Sequence, residues 1–278
     1  MVQVNFSNSN KTYVLPESWE ELSPLQFIAV MRILSENVPI EKAKLRLLQA
    51  LLNAPDRVFY NFNSLSDWKT SVGIDKKADL RREWLLDIYA EELLPILEFI
   101  FKPGAIFKNL LPSFVVGKNI YHGPKDGYED ATVAEIEEAD QYYQVYVATK
   151  EEKHLHSLAA CLYRTKDKDG KRTKFVQEDV SKIAETFADL PKDVLMAVKM
   201  TYERVLTWYS ESPQYAPLFS GSKEGKSDLK SWSKLVRAMS GDKLGTIEDV
   251  RKLKLYEAFD QLGFANDEAK AQLEALKK

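Results

Sequence analysis

Two pairs of hydroxyl and carboxylate, each set three residues apart, bracket the middle of this chain. In YEDATVAEIEEADQYYQVYVATKEEKHLHSLAACLYR, residues 128–164, Thr132 precedes Glu135 and Thr149 precedes Glu152. That spacing lets each side chain satisfy an orphan N–H of the other residue at a helix start. Val133, Ile136, Asp140, Tyr143 and Val147 follow in steps of three and four, so they share one helical face. Leu155, Leu158, Ala159 and Leu162 make a second stripe. The stretch therefore predicts two capped helices in tandem, and any fold must be built around them.

Similar signals recur on both sides. Ser23-Pro24-Leu25-Gln26 combines an N-cap hydroxyl, a proline at N1 and a glutamine at N3, predicting a helix over 24–35. A further helix is predicted over 40–52, with Ala43, Leu47, Leu48 and Leu51 inward. Another spans 80–102 and bends at Pro95, which lacks an N–H and clashes with the preceding turn. Residues 177–190 and 191–209 continue the helical pattern. Near the C-terminus, Thr246 with Asp249 starts a helix that carries Leu255, Phe259 and Leu262 and has Gly263 at its C-cap. Val2, Val4 and Phe6, then Thr12 and Val14, alternate around SNSN as a small hairpin. Residues 103–127 are broken by proline and glycine and form the least regular part.

The expected fold class is thus mainly α: a multi-helix body with a small N-terminal β-hairpin and a short C-terminal helical segment. SGSKEGKSD contains the best linker candidate. The expected division is 1–102 for the hairpin and first helices, 103–219 for the central body, and 228–278 for a C-terminal segment after a linker at 220–227. Eleven glycines and eleven prolines in 278 residues agree with helices rather than a turn-rich β-protein. A net charge of -3 offers no basic excess, so nucleic acid is not an expected partner. The single cysteine, Cys161, permits no intrachain disulfide and reads as a small core residue. The start lacks the basic and apolar regions of a signal peptide, and the run 93–101 is too short and too interrupted for a bilayer span. An intracellular, soluble chain is expected.

Motifs of chemistry fail on spacing. GSKEGKS leaves three residues, not four, between Gly221 and Gly225-Lys226-Ser227, and no strand precedes it. Asp167 and Asp169 before Gly170 suggest a calcium loop, but Thr165 and Val176 then fall where carboxylates are needed. The basic residues of 164–174 lack an interleaved base-stacking pattern and read as an exposed turn, closed by Asp169-Gly170. His154 and His156 point to different helix faces, and with His122 and one cysteine they assemble no zinc set. No G-x-S-x-G occurs. Glu135, Glu137 and Glu138 read as a solvated face near a helix N-terminus. Asp140 lies on the apolar register and needs a hydrogen bond or ion pair if buried. No catalytic residue, cofactor or metal is expected. Tyr142 and Tyr146, with Trp232 after the linker, are the candidate protein-contact residues, since aromatic residues are enriched at interfaces.

LPESWEELSPLQF, HGPKDGYEDATVAEIEEADQYY, LAACLYR with its KDKDGKR turn, and the tail SWSKLVRAMSG…LGTIEDV occur in an order that resembles one family. It is a group of uncharacterised proteins from phages and prophages of Bacteroidota. The resemblance spans most of the chain and carries no catalytic signature. It implies a place among tail or virion morphogenesis genes, and so a non-enzymatic assembly protein: a tail-assembly chaperone-like factor or a minor structural component. Its partners would be phage structural proteins such as tape-measure or tail proteins, in the cytoplasm of the infected host or in the virion, with oligomerisation left open. The alternative is a small helical enzyme or a host-directed regulator such as an inhibitor of host defence, with Asp140 as its one foothold.

Overall fold

The computed structural model describes residues 1–5, 9–55, 93–102, 104–216, 236–237, 239–241 and 244–264. The chain is mainly α, as its periodicity predicts, and divides into two units, Met1–Pro103 and Gly104–Lys278.

In the first unit, β1 (Val2–Asn5) and β2 (Thr12–Leu15) pair antiparallel, with Val4 opposite Tyr13. Strand period two puts Val4, Tyr13 and Leu15 on the buried side, so β2 turns Tyr13 and Leu15 inward rather than Thr12 and Val14. Helix α1 (Pro24–Ser35) starts at the expected capping box: the Gln26 N–H donates to Ser23 Oγ and the Ser23 N–H to Gln26 Oε1. Helix α2 (Ile40–Leu52) ends where Asn53 turns left-handed, and it buries Ala43, Leu47, Leu48 and Leu51 as predicted. Each such leucine contributes roughly 1.5–3 kcal/mol by leaving water. Of the predicted helix 80–102, residues 80–92 lie outside the described residues. The remainder holds Pro95 in a 3-10 turn, Leu94–Leu97, which leads into α3 (Glu98–Phe101). The Trp19 indole donates to the Phe99 carbonyl at 3.0 Å and packs edge-on against the Phe27 and Phe99 rings.

The second unit opens with a hairpin inside the proline- and glycine-broken stretch 103–127, where no regular element is expected. SFVV and NIYH form a hairpin, β3 (Ser113–Val116) and β4 (Asn119–His122), turned by Gly117 at φ 59°. Its inner side sets Phe114 and Tyr121 edge-on against Phe187, with Phe114 also tilted on Tyr163. Its outer side leaves Val115 and Ile120 exposed. The irregular approach to it is held by buried Asn109, whose amide donates to Pro124 O and whose carbonyl accepts from the Leu111 N–H.

Helix α4 (Val133–Thr149) starts at the Thr132/Glu135 box as predicted. The second expected box does not form. Lys150 adopts φ 60° and closes α4, so the Thr149 hydroxyl belongs to the last turn, donating to Val145 O and accepting from the Glu151 N–H. Helix α5 (Lys153–Leu162) begins three residues later than that reading and buries Leu155, Leu158, Ala159 and Leu162. Helices α6 (Val180–Thr186) and α7 (Lys192–Glu211) follow, both packed on α5. Thr246 and Asp249 cap α8 (Ile247–Lys252) as expected. That helix stops at Leu253, and a separate one spans 255–264, still helical at Gly263, which is therefore no C-cap. The break has a tertiary cause: the Val133 N–H donates to Leu253 O and the Leu255 N–H to Ala131 O, both at 2.9 Å. A backbone paired across to another segment cannot also continue the helical ladder.

Candidate functional site

The two halves of α4 differ in role. In its first half every residue from Glu135 to Asp140 is buried. The glutamates predicted to face solvent are therefore inside, and each has found a distant partner. Glu135, with no exposed surface, accepts a hydrogen bond from Arg164 Nη2 at 2.9 Å on one oxygen, while Arg172 Nη1 lies 2.8 Å from the other as an ion contact without hydrogen-bond alignment. Arg251 Nε donates to Glu137 at 2.7 Å, and the Gln177 amide donates to Glu138 at 2.7 Å. A buried carboxylate without such a partner would cost several kcal/mol, which makes the pairing obligatory.

The two arginines come from a turn that does close as expected around Asp169-Gly170, with Gly170 at φ 73° and Lys166 bridging Arg172. Lys166, Lys168, Lys171 and Lys174 are exposed, but Arg164 and Arg172 are turned inward. Arg164 also donates to the carbonyls of Thr173 and Cys161, and Arg172 to that of Leu162. These guanidiniums fasten the turn to the body rather than offering charge to a phosphate.

At the centre of α4, Asp140 is 3% exposed and accepts from Tyr202 Oη at 3.0 Å and Gln144 Nε2 at 3.3 Å. Burial raises its carboxyl above the ordinary aspartate range, against those two bonds. One turn on, Tyr143 Oη donates to Glu203 at 2.6 Å, and Lys199 holds both oxygens of the same carboxylate at 2.8 Å. Burial and that carboxylate raise the Tyr143 phenol, which stays protonated. Asp140 and Glu203 thus sit in a tyrosine-lined seam between α4 and α7, each satisfied by neighbours from the fold.

The second half of α4 comes to the surface. Tyr142 and Tyr146 are half-buried, four residues apart, with exposed Val145 between them on the same stripe and exposed Val147 beside it. Tyr146 lies under the Lys150 ammonium, 5.6 Å from its ring centroid, and its hydroxyl meets Met196 Sδ at 3.9 Å. The structure therefore brings Tyr142 and Tyr146 together, while Trp232 and the linker 220–227 lie outside the described residues. An open hollow of about 340 Å³ is lined by side chains of mixed charge, Lys125, Glu129, Asp130, Lys254 and Tyr256.

Among the described residues no three His, Cys, Asp or Glu side chains gather as a metal site, and no helix is long and apolar enough to cross a membrane. Burial pushes the Cys161 thiol well up, so it remains an unreactive core group. Compared with known proteins, the chain matches no family model, no curated protein and no solved structure.

Proposed function

We propose that this chain is a non-enzymatic phage assembly protein that works by contact, with the Tyr142–Val145–Tyr146 stripe as the surface its partner meets. The partner would be a phage tape-measure or tail protein, engaged in the infected cell or carried into the virion. The resemblance of LPESWEELSPLQF, HGPKDGYEDATVAEIEEADQYY and the LGTIEDV tail to phage morphogenesis proteins supports the setting. The observation that carries the contact reading is the change along α4. A helix whose first half is sunk among ion pairs ends in a stripe of two half-buried tyrosines with an exposed valine between them. Tyrosine supplies broad contact area at low entropic cost, and an amphipathic partner helix needs such a stripe at i, i+3, i+4.

The test is co-expression with the tape-measure protein, followed by affinity capture and mass spectrometry of purified particles. Capture that is lost in V145K, while the unfolding midpoint stays close to wild type, is the expected result. No complex and unchanged client solubility would remove the chaperone version. Presence in the particle selects the structural version, and absence selects the chaperone version. The alternative of a helical enzyme centred on Asp140 has less support, because the carboxylate is held by Tyr202 and Gln144 inside the seam.

A further inference from the structure

The β3–β4 hairpin is extended on one side only. Beyond β4, His122 exchanges both backbone hydrogen bonds with Arg164, at 2.7 and 3.1 Å, and the Thr173 N–H donates to Thr165 O, so the following turn carries the ladder on. At β3 it stops. The Gly123 N–H donates to Pro112 O at 3.0 Å. Antiparallel bonds alternate along a strand, so Phe114 and Val116 turn their backbone groups to Tyr121 and Asn119, while Ser113 and Val115 turn theirs away. Those outward N–H and C=O groups have no protein partner among the described residues. SFVV also carries none of the charges or prolines that commonly blunt an exposed edge. Directly opposite residues share a face, so Ser113, Val115, Ile120 and His122 lie together on the outer one, with Val115 62% and Ile120 51% exposed. A lysine stands at either end of this edge. Lys118 follows Val116 in the turn, while burial and the nearby Lys166 lower the imidazole of His122, which lies opposite Ser113. Both lysines are exposed, and among the described residues neither forms an ion pair.

We propose that β3 is a docking edge for an extended, acidic segment of a partner protein, which adds a strand beside Ser113 and Val115. Main-chain hydrogen bonds to those two residues supply the grip, and the outer face supplies the selection. Alternate side chains of the segment stand on that face. A β-branched residue there covers Val115 and Ile120, and a carboxylate at the next outward position on either side reaches toward Lys118 or Lys166. Opposite charges at the rim steer such a strand in and turn a basic one away. This edge shares no residue with the Tyr142–Val145–Tyr146 stripe and requires no phage setting.

The test uses the full chain with the capped peptide Glu-Thr-Val-Thr-Glu, and Lys-Thr-Val-Thr-Lys as its control. Amide-resolved NMR should show hydrogen exchange slowing at Ser113 and Val115 as the acidic peptide is added, with binding about tenfold tighter than that of the basic peptide. V115P removes one edge donor that β4 does not use, and proline is tolerated in an edge strand where its nitrogen faces solvent. It should weaken the acidic peptide about tenfold while the Tyr121 amide stays protected. K118E/K166E leaves the backbone donors in place and should reverse the preference between the two peptides. Unchanged exchange at Ser113 and Val115, equal binding of the two peptides, or a preference that K118E/K166E does not reverse overturns the proposal. Full affinity in a V115P protein with Tyr121 still protected does the same. So does protection of the Ser113 and Val115 amides in the free protein that disappears on dilution, because a second copy would then hold the edge.

Discussion

Replacing Glu135 by alanine should be the most damaging single change within α4. The substitution removes one carboxylate and strands two guanidiniums whose side chains are 7% and 5% exposed. Breaking a buried ion pair by deleting one partner costs about 3–5 kcal/mol. Here the arginines retain some partners: Arg164 keeps the Thr173 and Cys161 carbonyls, and Arg172 keeps the Leu162 carbonyl and Asp130, 3.6 Å from its Nε. Those acceptors hold the loss toward the middle of the range, and the weak 3.4 Å capping bond to the Thr132 N–H adds little. The expected loss is about 4 kcal/mol. With a urea slope near 2 kcal/mol per M, the transition moves by about 2 M. Urea unfolding followed by circular dichroism measures it, with hydrogen exchange at the Glu135 and Ile136 amides assigning the loss to the second unit. Replacing the whole triad with apolar residues should not rescue the fold, because the three backbone carbonyls would then be buried unpaired at about 1–3 kcal/mol each. A loss below about 1 kcal/mol for E135A, the size of an exposed ion pair, would refute the claim that this cluster holds the turn to α4.

Other expectations follow from the same contacts. Because burial raises the Asp140 carboxyl, the folded state binds its proton more tightly than the unfolded state. Its contribution is full below the ordinary aspartate value of about 4 and is lost as pH rises through the raised one. The D140N variant, which keeps an acceptor for Tyr202, should therefore lose less stability than wild type between pH 4 and neutrality, and parallel urea midpoints would contradict this. G127A should cost roughly 2–4 kcal/mol, because Gly127 holds φ 57° and an added Cβ would meet the Phe107 ring; thermal melts report it. V145K, on an exposed position, should change stability by no more than about 0.5 kcal/mol while abolishing partner capture, and unchanged capture would move the contact surface elsewhere.

Local order is legible at most places where the signal lies within one helical turn. The boxes at Ser23/Gln26, Thr132/Glu135 and Thr246/Asp249 start their helices where the residues say, and the leucine stripe of α2 faces inward. Tyr142 and Tyr146 were legible as a pair on one face for the same reason, since a period of 3.6 is a property of the backbone alone. Burial of the three glutamates was not legible, because a carboxylate near a helix N-terminus is stable in water as well as in a core. Only the arrival of Arg164, Arg172, Arg251 and Gln177, 29 to 114 residues away, decides between the two. The same holds at Thr149, whose hydroxyl could cap the next helix or close the last turn of its own; the left-handed Lys150 selects the second. At Leu253 the sequence allows a continuous helix, and the backbone edge at Ala131–Val133 interrupts it. Sequence thus determined the rods and their faces through hydrogen bonds and side-chain spacing within four residues. Tertiary structure decided which charges are buried and where a rod breaks, because those energies depend on partners that only the folded chain brings within 3 Å.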